Sequence, residues 1–474
     1  MNRSNPYQAP SPDESSADQT VDDLNEHIAE APTDFFADSR QLERRVVWWS
    51  TGWFFFTLLS YSIVRPIRET MGAIGGTKQL QGLMLVTFVV MLFAVPAYSA
   101  LVNRLPRRWL VRVIVHFFSC CLLFFSFAQR SDVALVQVWS ARAFFVWVNV
   151  FALVGTSVFW SVLADIFNSS QAKRLFGRIA AGGTVGAITG SFLASQVATL
   201  VSLPNLVLIP VVTLQMGLWF AWRTERSVEQ SQAALTENTA QPQQQSSANR
   251  SNGDRLAAGG LWEGIAHVLK SPYLLSICLF LFFVQASGTQ MYFQQAEIVG
   301  RSVVDDQEKI RLFAWIDFAT QVLTLFAQTV LSGLILRKLG VAVALCVLPL
   351  IYFVSFTVLS FHADLMVVAV AMVVARATAY GITVPSREVL FTVVSREDKY
   401  KSKNFIDTVV LRGGDATAGQ LLGSLKNFAG ISFSAVNLIS LPVIVVWMYA
   451  AYRLGKRQRK LALSSIAVGN AKDS

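Results

Sequence analysis

The stretch "YSIVRPIRETMG", Tyr61 to Gly72, sets Arg65, Arg68 and Glu69 directly after an aromatic-rich apolar run. A charge carried into lipid is expensive, so each needs an aqueous lining, a partner or a task. Other charges have equally apolar surroundings: Arg142, Asp317, Arg376, and Arg412 with Asp415 three residues on. Guanidinium groups at such depth suit contact with an anionic solute. Buried carboxylates suit proton carriage, gating or neutralisation of a neighbouring arginine. Spaced i,i+3, Arg65 and Arg68 share one helix face. Either that face lines an interior cavity, with Glu69 trimming its charge, or both arginines snorkel to the outer surface. Arg412 and Asp415 read either as an internal i,i+3 ion pair or as a substrate-binding cation beside a coupling or gating carboxylate. Arg142 and Arg376 either contact the anion or hold two parts of the molecule in register.

Several chemistries find no residues to support them. The chain has four histidines and no HExxH, GxSxG or carboxylate–histidine cluster, so enzymatic activity is not expected. Cys120, Cys121, Cys278 and Cys346 lie in apolar runs without CxxC spacing, so no disulfide, metal site or cofactor is expected. The glycine-rich "AAGGTVGAITGSFLAS" (Ala180 to Ser195) has no preceding strand and no GK[ST], which removes a phosphate loop. Gly182, Gly186, Gly190 and Ala194 recur every four residues instead, a smooth ridge for close helix packing. Displaced by 229 residues, Asp415, Gly419 and Gly423 repeat that spacing.

The elements that must position these residues follow from composition. Hydrophobic residues make up 53% of the 474 and aromatics 12%, and the mean hydropathy is +0.46. The apolar blocks are about 20 residues long, the length a helix needs to cross roughly 30 Å of hydrocarbon. They fall near 47–71, 80–102, 109–128, 135–164, 176–200 and 203–222, then 273–295, 312–336, 340–361, 364–386, 405–425 and 434–452. Five regions result: a disordered acidic tail (1–45), a six-helix bundle (46–222), a Gln-, Ser- and Asn-rich linker (223–272), a second six-helix bundle (273–452) and a basic tail (453–474). Residues 1–39 carry a net charge of −8, which leaves +18 for the remainder. Lys and Arg concentrate in the loops on the side of the two termini, so both termini are expected in the cytoplasm. The basic excess then belongs to membrane topology and not to nucleic acid. Trp48, Trp49 and Trp53 suit the inner interfacial belt, which would carry Arg65 and Arg68 towards the outer half of the first helix.

The two bundles repeat one another. "SALVNRLPRR" (Ser99 to Arg108) and "GLILRKLG" (Gly333 to Gly340) stand 234 residues apart, and both resemble, in degenerate form, the major facilitator loop signature G-x-x-x-D-R-x-G-R-R. At the same displacement "ARA" at 141–143 matches "ARA" at 375–377. The fold expected is therefore all-α and integral to the membrane. Twelve transmembrane helices form two pseudo-symmetric six-helix halves, with substrate bound near the midplane between them.

Three segments also resemble the bacterial and plastid ATP:ADP antiporters. "VRPIRETM" (Val64 to Met71) is similar to the family's L-R-x-x-K-D-x-L, with Arg65, Arg68 and Glu69 at its Arg, Lys and Asp. "PSREVLFTVVSREDKYKSKNFIDTVVLRGGD" is similar to P-T-K-E-M-A-Y followed by K-x-K-x-K, aligning Pro385, Arg387, Glu388, Lys399, Lys401, Lys403, Asp407 and Arg412. "AKRLFG" (Ala172 to Gly177) sits in the equivalent first-half loop. The resemblance implies nucleotide exchange, with Arg68 and Arg412 at the phosphates. The family pattern has a Lys where Asp415 stands, an acid that disfavours tight binding of a tri-anion.

Together these readings give a monomeric secondary transporter of the cytoplasmic (inner) membrane, embedded in the lipid bilayer and working by alternating access. Its expected partner is a small anionic solute, with Arg65, Arg68, Arg142, Arg376 and Arg412 binding it and Glu69, Asp317, Glu388 and Asp415 coupling or gating. Competing readings are a proton-coupled symporter of another small solute and a transporter-fold sensor or scaffold.

Overall fold

A computed structural model describes residues 33–167, 169–238, 271–394, 402 and 406–470. The described regular structure is helical throughout. The first half comprises α1 (Thr33–Ile74), α2 (Gly76–Arg104), α3 (Arg107–Ala128), α4 (Ala134–Ile166), α5 (Ser169–Val197) and α6 (Leu208–Asn238), the last preceded by the single turn Leu203–Leu206. The second comprises α7 (Pro272–Ser302), α8 (Asp306–Lys338), α9 (Gly340–Phe361), α10 (Leu365–Val393), α11 (Leu411–Asn427) and α12 (Phe433–Asn470). Nine of these segments are long and apolar enough to cross a membrane on their own. The other three carry Arg65, Arg68 and Glu69 (α1), the ridge of Gly182, Gly186 and Gly190 (α5), and Arg412, Asp415, Gly419 and Gly423 (α11). Their polar faces must be covered by neighbouring helices or face a cavity.

Several boundaries shift from the expected ones. Residues 33–45 continue α1, 223–238 continue α6 and 453–470 continue α12, so these helices outrun their apolar spans. Helical hydrogen bonding needs only helix-compatible residues, and the polar extensions contain no proline. Residues 1–32, most of the linker and Lys399, Lys401 and Lys403 lie outside the described residues, as does the side chain of Asp407. Local signals set several helix starts. Asp305 accepts from the Glu308 N–H at 2.9 Å ahead of α8, and Asp364 from the Val367 N–H at 3.0 Å ahead of α10. Gly76 and Gly340, at φ +65° and +81°, make the tight turns into α2 and α9 that a side chain would strain.

The packing has a twofold pattern. Within the first half α1 lies against α5, α6 and α4; within the second α9 packs on α12 and α7 on α11. Across the halves α2 meets α11 and α5 meets α8, two pairings that exchange when the halves are interchanged. Each half centres on its own apolar core, and that of the second half also takes in Ala73, Leu80, Leu83 and Phe145 of the first. Among the described residues, a group of cross-half hydrogen bonds gathers at one end of the bundle, opposite Thr33 and Asn470. There Thr77 donates to Asn427 at 3.1 Å, Gln81 to Gln420 at 3.1 Å and Gln307 to the Val201 carbonyl at 3.1 Å. At the same end Gly300 lies so close to the Ala73 carbonyl that a Cβ would come within 2.9 Å of it. That end is closed.

Candidate functional site

Beneath the closed end, α1, α2, α4, α7, α9, α10 and α11 enclose a cavity of about 500 Å³. Its roof is a charge cluster assembled from both halves. Arg65 and Glu69 of α1 lie one helical turn apart at 3.7 Å, and Arg68 reaches the same Glu69 carboxylate at 2.5 Å. From the second half, Arg376 of α10 approaches Glu69 at 3.6 Å and Asp317 of α8 at 3.2 Å. Arg65 completes the ring with Asp317 at 3.5 Å. Three guanidinium groups thus share two carboxylates, of which Glu69 is 1% exposed and Asp317 2%. Removing an arginine from this ring would leave a buried charge short of a partner, which is strongly destabilising.

Depth explains the meeting. Arg65 lies nine residues from the end of α1, and Asp317 and Arg376 each lie eleven residues from the closed-end starts of α8 and α10. At 1.5 Å per residue these are all about 14–17 Å, close to mid-bilayer. Arg65 and Arg68 do lie in the outer half of α1, which runs on unbroken through Pro66 to Ile74, and of the two readings left open the structure matches the cavity face and not snorkelling to the outer surface. Both line the cavity. Arg68 also donates to Asn149 at 2.9 Å and lies over the Phe145 ring, contacts made by α4.

Towards the other end the cavity is lined by Arg387 of α10 and by Arg412 and Asp415 of α11. The internal ion pair is absent. Asp415 accepts instead from Gln285 at 3.0 Å and Thr289 at 3.1 Å, both on α7. With Asp415 so engaged, Arg412 has no ion pair within 4.0 Å among the described residues. Arg387 contacts Glu388 at 3.3 Å; Glu388 is part-exposed and does not line the cavity. Counting the cluster, five arginines and three carboxylates surround the space, a net charge of plus two.

Arg142 is not brought to this cavity. Its guanidinium stacks on Trp139 of its own helix, 4.9 Å from the ring centroid. The glycine faces serve different interfaces. A Cβ on Gly186 or Gly190 would strike the carbonyls of Phe55 or Leu59, and one on Gly182 would strike Thr51, all on α1. Gly419 and Gly423 face Met84 and Gln81 of α2, across the boundary between the halves.

Sequence reasoning passed over the polar side of α7. Gln285 and Thr289, spaced i,i+4, hold Asp415, and Tyr292 continues that face into the cavity. Farther back, Gln290 donates to Asn437 at 2.9 Å and Ser440 to Gln290 at 2.9 Å, while Gln294 also bonds Asn437. This buried seam fixes α7 to α12. The run "QASGTQMYFQQ" within an apolar span was the available signal. Two π-helical turns, Ala327–Leu331 in α8 and Ala379–Thr383 in α10, pack together through Gly381 and Ala327 beside the cavity. Such turns recur at functional sites and leave no obvious sequence trace.

Twofold-related halves closed at one end over a midplane cavity define a transporter architecture. Residues 51–402 match the Major Facilitator Superfamily. The chain belongs to that superfamily. It is a multi-pass membrane protein with the major facilitator fold, and its relatives are transporters of small molecules. ADP,ATP carrier protein 1 of Chlamydia muridarum is 24% identical over 363 residues, 68% of this chain and 66% of that carrier, so the chain spans just under two thirds of its length. ADP,ATP carrier protein 2 of Chlamydia pneumoniae is 22% identical over 387 residues, 71% of this chain and 69% of that one. Among solved structures, a bacterial homolog of the human lysosomal transporter Spinster, inward-facing and unoccupied, superposes with a TM-score of 0.56 at 14% identity, covering 88% of this chain and 98% of that one. The nucleoside transporter NupG gives 0.51 at 14%, covering 87% and 99%. These likenesses establish the shared fold.

Proposed function

We propose that this major facilitator protein exchanges organic anions, with nucleotides as the solute class, by alternating access through the central cavity. The observation that carries the reading is the arginine-rich cavity, net positive by two, whose charged roof is built jointly by both halves. An anion entering it meets Arg68, Arg376 and Arg412, whose planar forks suit phosphate oxygens. Arg68 and Arg376 already contact Glu69. An anion that draws Arg376 away weakens the link between α1 and α10, and so couples binding to movement of the halves. Arg412 supplies a further cation, one with no ion pair among the described residues. The volume suits a ligand of metabolite size. The two carrier proteins that the chain resembles lend support to nucleotide. The basic loops support both termini in the cytoplasm, and with that orientation the cavity opens inward in this state. The working unit is taken as a monomer, because one chain encloses the whole cavity.

The test is uptake of labelled ATP into proteoliposomes loaded with ATP, ADP or buffer. Uptake that requires internal nucleotide supports exchange. Absence of uptake under every loading, with folded protein, would overturn nucleotide as the solute. One observation favours a second reading, proton-coupled symport. Asp415 is held by neutral Gln285 and Thr289, with no arginine within ion-pair distance of it among the described residues. Uptake driven by a proton gradient with empty vesicles, and abolished in Asp415→Asn, would establish that reading over exchange.

A further inference from the structure

A second concentration of cations lies where the transport cavity does not reach, at the end of α1 remote from the closed end. Two clefts flank the ridge formed there by Arg44 and Trp48. One, of about 510 Å³, runs between α1 and α6 and is lined by Arg44, Arg45, Trp48, Trp49, Arg223 and Arg226, with a few polar neighbours. The other, of about 480 Å³, runs between α1 and α5 and adds Arg174 and Arg178. Neither shares a lining residue with the central cavity. The linings of the two clefts contain six arginines and one carboxylate, Glu43, which Arg174 engages at 2.5 Å.

Aromatic rings hold the guanidinium groups of the α6 arginines. Arg223 lies 4.7 Å from the Trp49 centroid and 5.7 Å from that of Trp219, and Arg226 lies 3.9 Å from that of Trp222. Stacking on an indole occupies the face of a guanidinium and leaves its N–H edge to a phosphate. Trp48 is 67% exposed, an apolar ring beside these cations at the end of a membrane-spanning stretch. Indoles are favoured at the level of lipid headgroups, where one edge is wet and the other meets acyl chains. A soluble phosphate would use the arginines alone. A phospholipid uses the arginines with its headgroup and the exposed indole with its chains.

We infer that these two clefts bind the phosphate groups of anionic glycerophospholipids, whose acyl chains lie along Trp48. The test is native mass spectrometry of the detergent-solubilised full chain titrated with phosphatidylglycerol or phosphatidylcholine. The intact protein should retain phosphatidylglycerol preferentially. In the triple variant Arg44→Gln, Arg223→Gln, Arg226→Gln that preference should fall by about ten-fold or more, since each cation near an anionic headgroup contributes additively. The matched triple Lys variant keeps the charge and should keep most of the preference. Equal retention of the two lipids by the parent overturns the inference. So does loss of the preference in the Lys variant as well as the Gln variant, which would trace the effect to packing. Displacement of phosphatidylglycerol by millimolar inorganic phosphate would reassign the clefts to a free anion and overturn the lipid.

Discussion

Arg142 and Arg376 stand in identical Ala-Arg-Ala triplets, 234 residues apart, on corresponding helices of the two halves. Arg376 bridges Asp317 and Glu69 at the roof of the cavity, whereas Arg142 stacks on Trp139 and stays away from it. The same displacement explains the difference. Asp317 corresponds to Leu83 in the first half, a buried apolar residue, so Arg142 has no repeat-related carboxylate to draw it inward. A duplicated motif therefore fixes where a side chain starts, while the opposing helix decides what it does. The asymmetry also divides labour: the second half supplies Asp317 and Arg376, and the first supplies Arg65, Arg68 and Glu69.

The largest effect should come from breaking the member that is engaged. Arg376→Gln removes one partner from a buried ion cluster, a change that costs about 3–5 kcal/mol. A large drop in melting temperature is expected, with loss of anion uptake in proteoliposomes. Arg142→Gln loses only a stacking contact of about 0.5–1 kcal/mol and should retain near-parental uptake. Equal loss in both variants would erase the distinction between the halves.

Arg412 sharpens the comparison because it lines the cavity without an ion pair among the described residues. Arg412→Gln should raise the KM for the transported anion by roughly ten-fold or more, the equivalent of one charge-assisted hydrogen bond. Its melting temperature should stay at the parental value, unlike that of Arg376→Gln. A double-mutant cycle joining Arg376→Gln with Asp317→Asn then isolates the pair. The expected coupling is about 1–3 kcal/mol, read from thermal unfolding in detergent, and simple additivity would argue against the roof as one unit.

The smallest effects concern the glycine faces. Gly186→Ala pushes a methyl group against the Phe55 carbonyl of α1, which cannot swing aside, so a loss of about 1–3 kcal/mol is expected. Gly423→Ala meets the end of the Gln81 side chain, which can rotate, and should cost less. A thermal-melt ranking with Gly423→Ala as the more damaging would show that the boundary between halves is the more rigid interface.

Much of the fold was legible in the linear pattern. Blocks of about 20 apolar residues state their own membrane-spanning requirement, and the 234-residue echo states the duplication. The helix ends were less legible, since polar residues extend α1, α6 and α12 without changing their hydrogen bonding. At the site, the charges themselves were visible because a charge within an apolar run has few innocent explanations. Their partners were not. Arg412 with Asp415 allowed a local pair as one of two readings, yet Gln285 and Thr289, 130 and 126 residues away, hold the acid. The uncharged lining on α7 carried too little contrast with its surroundings to stand out.

The sequence by itself determined a helical, membrane-spanning chain made of two related halves with arginines at depth. Those properties follow from the solvation cost of peptide groups and charges in hydrocarbon, which acts residue by residue. Only the tertiary structure decided that Glu69 and Asp317 would share three arginines from both halves, that Arg142 would stay outside and that one end would close. Ion pairing depends on separations of a few ångströms between helices, and no local pattern along one helix encodes its distance to another.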